Sequence, residues 1–174
     1  MNSIDPEKTT IAELASFERW DEQPMTALIE HILTRFHEPL RRELTRLIEM
    51  TRRVERVHGE KPSCPKGVGD LLEQLQGELE PHMQKEEQIL FPMIRDGRGF
   101  MAEGPVRVME QDHDAAAEAL VQLRELTHDF TPPEEACKTW TALYLGLAEL
   151  DRELKQHIHL ENNVLFPQAL AGSE

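Results

Sequence analysis

Apolar residues along this chain recur at intervals of three and four, and no stretch sustains an alternation of β-branched residues. Four segments carry the helical rhythm. The first is predicted over about Met25 to Val57, stopped by His58-Gly59 and the Pro/Cys/Gly-rich stretch through Gly67. The second covers about Val68 to Arg95, with Gly97 and Gly99 behind it, and the third starts after Gly104-Pro105 and reaches about Leu126. The fourth opens at Thr131-Pro-Pro-Glu134, a capping-box pattern with prolines in its first turn, and runs to about Asn163. Pro39 and Pro81 fall inside predicted helices; each removes a backbone hydrogen bond, so kinks are expected there rather than helix ends. Four long helices with short connections predict an all-α protein, an up-down-up-down four-helix bundle over residues 24–174, after a short polar lead-in at 1–23.

Composition narrows the partners. A chain of 174 residues suits one domain, and its formal charge of -14 disfavours nucleic acid, whose phosphates demand clustered Lys and Arg. Acidic balance suits metal cations. Cys64 and Cys137, the only two cysteines, are far apart and form no Cys-x-x-Cys, so neither a disulfide framework nor a thiolate zinc site is predicted, and both are expected reduced. The sequence contains no stretch near the roughly 20 apolar residues of a membrane span, and its start has no apolar leader. A cytoplasmic protein without a membrane partner is the expectation.

An internal repeat points to the chemistry. The run His82-Met-Gln-Lys-Glu86-Glu-Gln-Ile-Leu-Phe-Pro92 returns 75 residues later as His157-Ile-His-Leu-Glu161-Asn-Asn-Val-Leu-Phe-Pro167, with His, Glu and Leu-Phe-Pro in register. Positions four apart share a helix face, so each His-x3-Glu can offer one nitrogen and one oxygen to the same centre. Imidazole with carboxylate suits iron, manganese or zinc, and two carboxylates able to bridge suit a pair of metal ions. One copy alone would more often be a solvated pair on an amphipathic helix; two copies in register argue against that.

Depth in the bundle selects the remaining ligands. His37 and His58 are 21 residues apart on one predicted helix, roughly 30 Å, so they cannot share a centre. Counting from the first turn puts His37 level with His82 and Glu86, and counting across the second puts His113 level with Glu86. The third turn is less tidy, because His157 lies further along its helix than His113; a longer or tilted last helix would absorb this. The predicted metal set is His37, His82, Glu86, His113, His157 and Glu161. Glu55-x-x-His58 and Glu110-x-x-His113 imitate the Glu-x-x-His pairs of ferritin-type centres, but the former lies at the bundle end and that scheme leaves His82 and His157 without a role. Glu110 remains a candidate outer base or proton relay. His31, His128 and His159 are assigned structural or solvent roles, and Met50, Met83, Met93, Met101 and Met109 are read as core or gap-filling.

These residues resemble a known family. Val-Glu-Arg-Val-His58, the two repeat runs, Val-Met-Glu-Gln-Asp-His113 and Thr-Pro-Pro-Glu-Glu-Ala-Cys137 together resemble the hemerythrin-like domain of the iron-sulfur cluster repair di-iron proteins, the repair-of-iron-centres family, over about Trp20 to Gly172. The resemblance implies a cytoplasmic stress protein that restores clusters damaged by nitric oxide or peroxide, with metal ligands at the six residues above. In that family a segment with a Cys-Cys-Gly-Gly motif usually precedes the domain, and none occurs here before Trp20. The expected cofactor is two non-haem irons with an oxo or hydroxo bridge, Glu86 and Glu161 bridging, and two histidines on each iron. Open positions would bind nitric oxide and reduce it, or one weakly held iron would leave to rebuild a cluster. Expected partners are damaged iron-sulfur proteins as transient clients and nitric oxide or dioxygen as small ligands; pairing into a homodimer is compatible with this. The rival is an oxygen carrier or sensor like hemerythrin, which places a fifth histidine four residues after the one at His113, where this chain has Ala117.

Overall fold

The computed structural model describes residues 20–172, and among them there are four long helical arms and no strand. The part of the predicted lead-in before Trp20 lies outside the described residues. We number the arms α1 to α4. α1 runs Met25–Ile32, widens into a π-helical turn over Leu33–His37 and resumes over Glu38–His58. α2 runs Val68–Lys85, has its π-helical turn at Glu86–Leu90, and ends with Phe91–Arg95. α3 is regular over Glu103–Leu126. α4 runs Lys138–Leu160, has a π-helical turn at Glu161–Leu165 and ends with Phe166–Ala171.

Every arm is antiparallel to its sequence neighbour. Arg41 of α1 meets Glu80 of α2 while Arg52 meets Asp70; His82 of α2 meets Asp112 of α3; Arg124 of α3 meets Asp151 of α4 while His113 meets Asn162. α4 returns along α1, with Arg35 paired to Glu153 and His58 Nε2 3.2 Å from Cys137 Sγ. Gly146 permits a close crossing of these two arms, since a Cβ there would lie 2.7 Å from Leu47 Cδ2. The expected bundle is therefore present, and two boundaries differ. α3 begins at Glu103, so Gly104 and Pro105 occupy its first turn, where a missing N–H costs nothing. α4 begins at Lys138, because Thr131-Pro-Pro-Glu134 belongs to the connection, and it extends to Ala171. That connection contains three consecutive left-handed residues, His128, Asp129 and Phe130, with φ of 48°, 57° and 59°. It also resolves the untidy third turn: α4 starts opposite the end of α1 at His58 rather than opposite the shorter α3.

The prolines explain the irregular turns. Pro39, Pro92 and Pro167 each stand in the first turn after a π-helical segment. A proline ring collides with the carbonyl four residues back and leaves it without a donor, and one extra residue in the preceding turn relieves the collision. Pro81 instead sits within the regular part of α2, which stays helical through it.

Apolar residues divide into two clusters. One, including Leu44, Leu47, Leu72, Leu75, Trp140, Tyr144 and Leu147, fills the half of the bundle near the α1–α2 turn. The other, including Leu28, Ile32, Phe36, Phe91, Val106, Leu165 and Phe166, caps the opposite end. The buried histidines and glutamates lie along the chain between them. Among the described residues no helix is long and apolar enough to cross a membrane.

Candidate metal centre

Between the two apolar clusters the structure brings together His37, His82, Glu86, His113, His157 and Glu161, all between 0 and 2% exposed. α1 contributes the last residue of its π-helical turn, His37, and α2 and α4 contribute the first residues of theirs, Glu86 and Glu161. Widening therefore occurs where ligating groups must be aimed inward, a frequent use of such turns. The regular helix α3 supplies His113.

The six side chains form two overlapping groups, His37, Glu86, His157 and Glu161, and His82, Glu86, His113 and Glu161, with the ligand atoms of each group within 4.8 Å of one another. Both carboxylates are common to the two groups. His37 Nε2 and His82 Nε2 each lie 3.3 Å from Glu86 Oε2. His157 Nε2 is 2.9 Å from Glu161 Oε1, and His113 Nε2 is 3.0 Å from Glu161 Oε2. The imidazoles face each other in pairs through Nε2, His37 with His157 and His82 with His113, at 3.2 Å in both cases.

What lies behind each ring fixes its tautomer. His37 Nδ1 meets Glu87 Oε1 at 2.9 Å, and Arg41 grips the same carboxylate. His82 Nδ1 meets Asp112 Oδ2 at 3.3 Å, with Lys85 on that carboxylate at 3.0 Å. His113 Nδ1 meets Asn162 Oδ1 at 2.7 Å. These three oxygens accept, so the rings donate from Nδ1 and turn the Nε2 lone pair to the centre, the arrangement expected of metal-ligating histidines. His157 Nδ1 is buried and has no hydrogen-bond partner.

The carboxylates are under-supplied. Glu86 Oε1 and Oε2 and Glu161 Oε2 are buried with no donor aligned on them. Two buried acids surrounded only by imidazole are costly unless cations or protons accompany them. Held by protons alone, the centre favours charging of three of its histidines: burial works against it, but the hydrogen bonds and charges of Glu161 and Glu86 prevail and raise the pKa of His37 to about 10. Burial likewise opposes, and Glu86 and Glu161 overcome, the charging of His82 and His113. Glu161 is driven well below the carboxylate range against its burial by His157, His113 and His37. A donor set of four nitrogens and two shared carboxylates fits metal cations in place of those protons.

The other sequence candidates are elsewhere. His58 and Glu55 lie at the far end, His58 packed on Trp140 and Glu55 bonded to Arg52. Glu110 is exposed on α3, and the acceptor behind His113 is Asn162 instead. Ala117 is exposed as well; the inward position after His113 is Ala116. Met83 and Met109 are core residues, whereas Met101 is 63% exposed, contrary to its gap-filling assignment. Glu87, Asp112 and Asn162 were not anticipated. Two of them had a signal, since Glu87 and Asn162 directly follow Glu86 and Glu161 in the repeat.

Comparison with known proteins agrees with this geometry. The family model for the hemerythrin HHE cation binding domain matches residues 28–169. The iron-sulfur cluster repair protein YtfE of Yersinia pseudotuberculosis serotype IB (strain PB1/+) is 53% identical over 157 residues, covering 90% of this chain and 71% of the relative. The YtfE protein of Yersinia pestis (strain Pestoides F) matches to the same extent, 53% over 90% of this chain and 71% of its own. With its buried His/Glu centre at the middle of a four-helix bundle, this chain belongs to the hemerythrin HHE cation-binding family, alongside the iron-sulfur cluster repair proteins.

Proposed function

We propose that this protein is a di-iron protein that repairs iron-sulfur clusters damaged by nitrosative or oxidative stress, with damaged iron-sulfur proteins as its transient clients. One observation carries the reading: two histidine pairs share two fully buried carboxylates, three of whose four oxygens have no aligned donor. In this reading His37 and His157 would hold one iron and His82 and His113 the other, and Glu86 and Glu161, common to both groups, would serve the two. Iron bound there would supply redox chemistry and affinity for nitric oxide, and would be the cargo for a depleted cluster. The chain's own part is to aim four Nε2 lone pairs inward through outer acceptors and to keep bulk water from the carboxylates. Alternative use as an oxygen carrier is disfavoured by Ala116 and Ala117, neither of which can ligate, one turn beyond His113.

The test is the metal content and absorption spectrum of protein purified without oxygen, before and after nitric oxide, beside Glu86→Ala and His157→Ala. Two irons per chain that respond to nitric oxide and are lost from the variants support the reading. Absence of iron after reconstitution, or content indifferent to both substitutions, overturns it.

A further inference from the structure

The centre has approximate twofold symmetry, and one of its breaks removes an acceptor from behind a ring. α1 and α3 correspond, as do α2 and α4: His37 answers to His113, His82 to His157, Glu86 to Glu161, and Glu87 to Asn162. The aromatic packing follows the same rule, with Phe91 stacked on His37 at 5.8 Å and Phe166 on His113 at 6.0 Å. The residue preceding His113 is Asp112, which accepts from His82 Nδ1. Its counterpart preceding His37 is Phe36, which stacks on His157 at 5.4 Å with 13° between the ring planes. A phenyl ring supplies no acceptor, so His157 is the one ring of the four whose Nδ1 is unpartnered.

We infer that the two metal positions are unequal in consequence, and that the iron held by His37 and His157 is the one released to a client, while the iron held by His82 and His113 stays. This rests on the di-iron reading above. An acceptor on the outer nitrogen makes imidazole a stronger ligand, and its removal costs about 10–100-fold in metal affinity. Both rings of the His82–His113 pair have that acceptor; only one of the His37–His157 pair does. Each pair has one ring beside a cavity, of about 270 Å³ at His157 and about 260 Å³ at His82. Phe36 and Asp112 are thus positioning residues that act through His157 and His82.

The experiment follows iron transfer to a ferrous chelator from the two-iron protein by stopped-flow absorbance. Wild type is expected to release iron in two phases of equal amplitude. Asp112→Ala should accelerate the slow phase about 10–100-fold, and Asp112→Asn, which keeps an oxygen acceptor, should restore it. Phe36→Asp, where it folds by its helical circular dichroism, should slow the fast phase. Two irons leaving in a single phase, or a slow phase indifferent to Asp112→Ala, overturns the inference and leaves the di-iron reading intact. A wild-type protein that binds fewer than two irons overturns that reading and the inference with it.

Discussion

Two places in this bundle bury carboxylates, and they are built differently. Asp151, with a side chain 3% exposed, is met by Arg124 Nη2 at 2.6 Å and by Lys155 at 3.0 Å, both reaching in from the surface. Glu86 and Glu161 are equally buried but face only imidazoles, and three of their four oxygens have no aligned donor. The first acid is complete within the chain; the other two are complete only with cations or protons. Burial of a charge is therefore no mark of function by itself. The mark is a buried charge that the fold leaves unanswered, because a structural ion pair would have been given its partner.

This contrast can be broken in several ways, the strongest at the metal centre. Glu161→Ala should remove nearly all bound iron, read by metal analysis, while Asp151→Ala leaves iron content unchanged. Stripping metal from the wild-type protein should lower its stability by about 3–4 kcal/mol if the ion is supplied at 100 to 1,000 times its dissociation constant, read as a fall in Tm. Glu87→Ala should weaken metal binding about 10–100-fold by releasing His37 Nδ1, with Glu87→Gln retaining most of the affinity. Asp151→Ala should cost about 1–2 kcal/mol in denaturant unfolding, because the cations it abandons are half-exposed and regain water.

The dependence on pH sharpens the same contrast. In metal-free protein the His37 pKa is about 10 against 6.5 unfolded, so the folded chain holds the extra proton and its advantage is lost as pH rises between these values. Glu161 is depressed from 4.5, so its contribution is present above that value and is lost as pH falls through its folded pKa. Metal-free Tm should accordingly be highest between pH 4.5 and 6.5 and decline above it, whereas metal loading should flatten the alkaline decline.

The bundle was legible because its signals are local: a 3.6-residue rhythm, glycines behind the helices, and a repeat that fixes which faces meet. The inner residues of the centre could be picked by counting rise along the helices. Of the partners behind the rings, Glu87 and Asn162 had the repeat as a signal, but Asp112 had none, since it reaches His82 from another arm and nothing near His82 in sequence announces it. The start of α4 was misplaced because Thr131-Pro-Pro-Glu134 satisfies a capping pattern, while the chain must first cross from the short α3 to the level of His58. The π-helical turns were invisible to periodicity, yet the prolines marked them. Pro39 was read as a kink and Leu-Phe-Pro as a motif, and all three prolines follow the same distortion.

Those turns also give the helices slack in length. An α-helix advances about 100° per residue, whereas a widened turn spreads the same rotation over one more residue, so it works as a slip joint that takes up an extra residue without turning the helix beyond it. Deleting a single residue from Glu86–Leu90 would return that turn to α winding and leave Phe91 and Ile94 facing the apolar cap, but it would restore the collision of Pro92 with the carbonyl behind it. The slip joint thus lets the stretch of α2 that bears His82 and the stretch that closes the cap keep their own headings although they are one residue out of α-helical step.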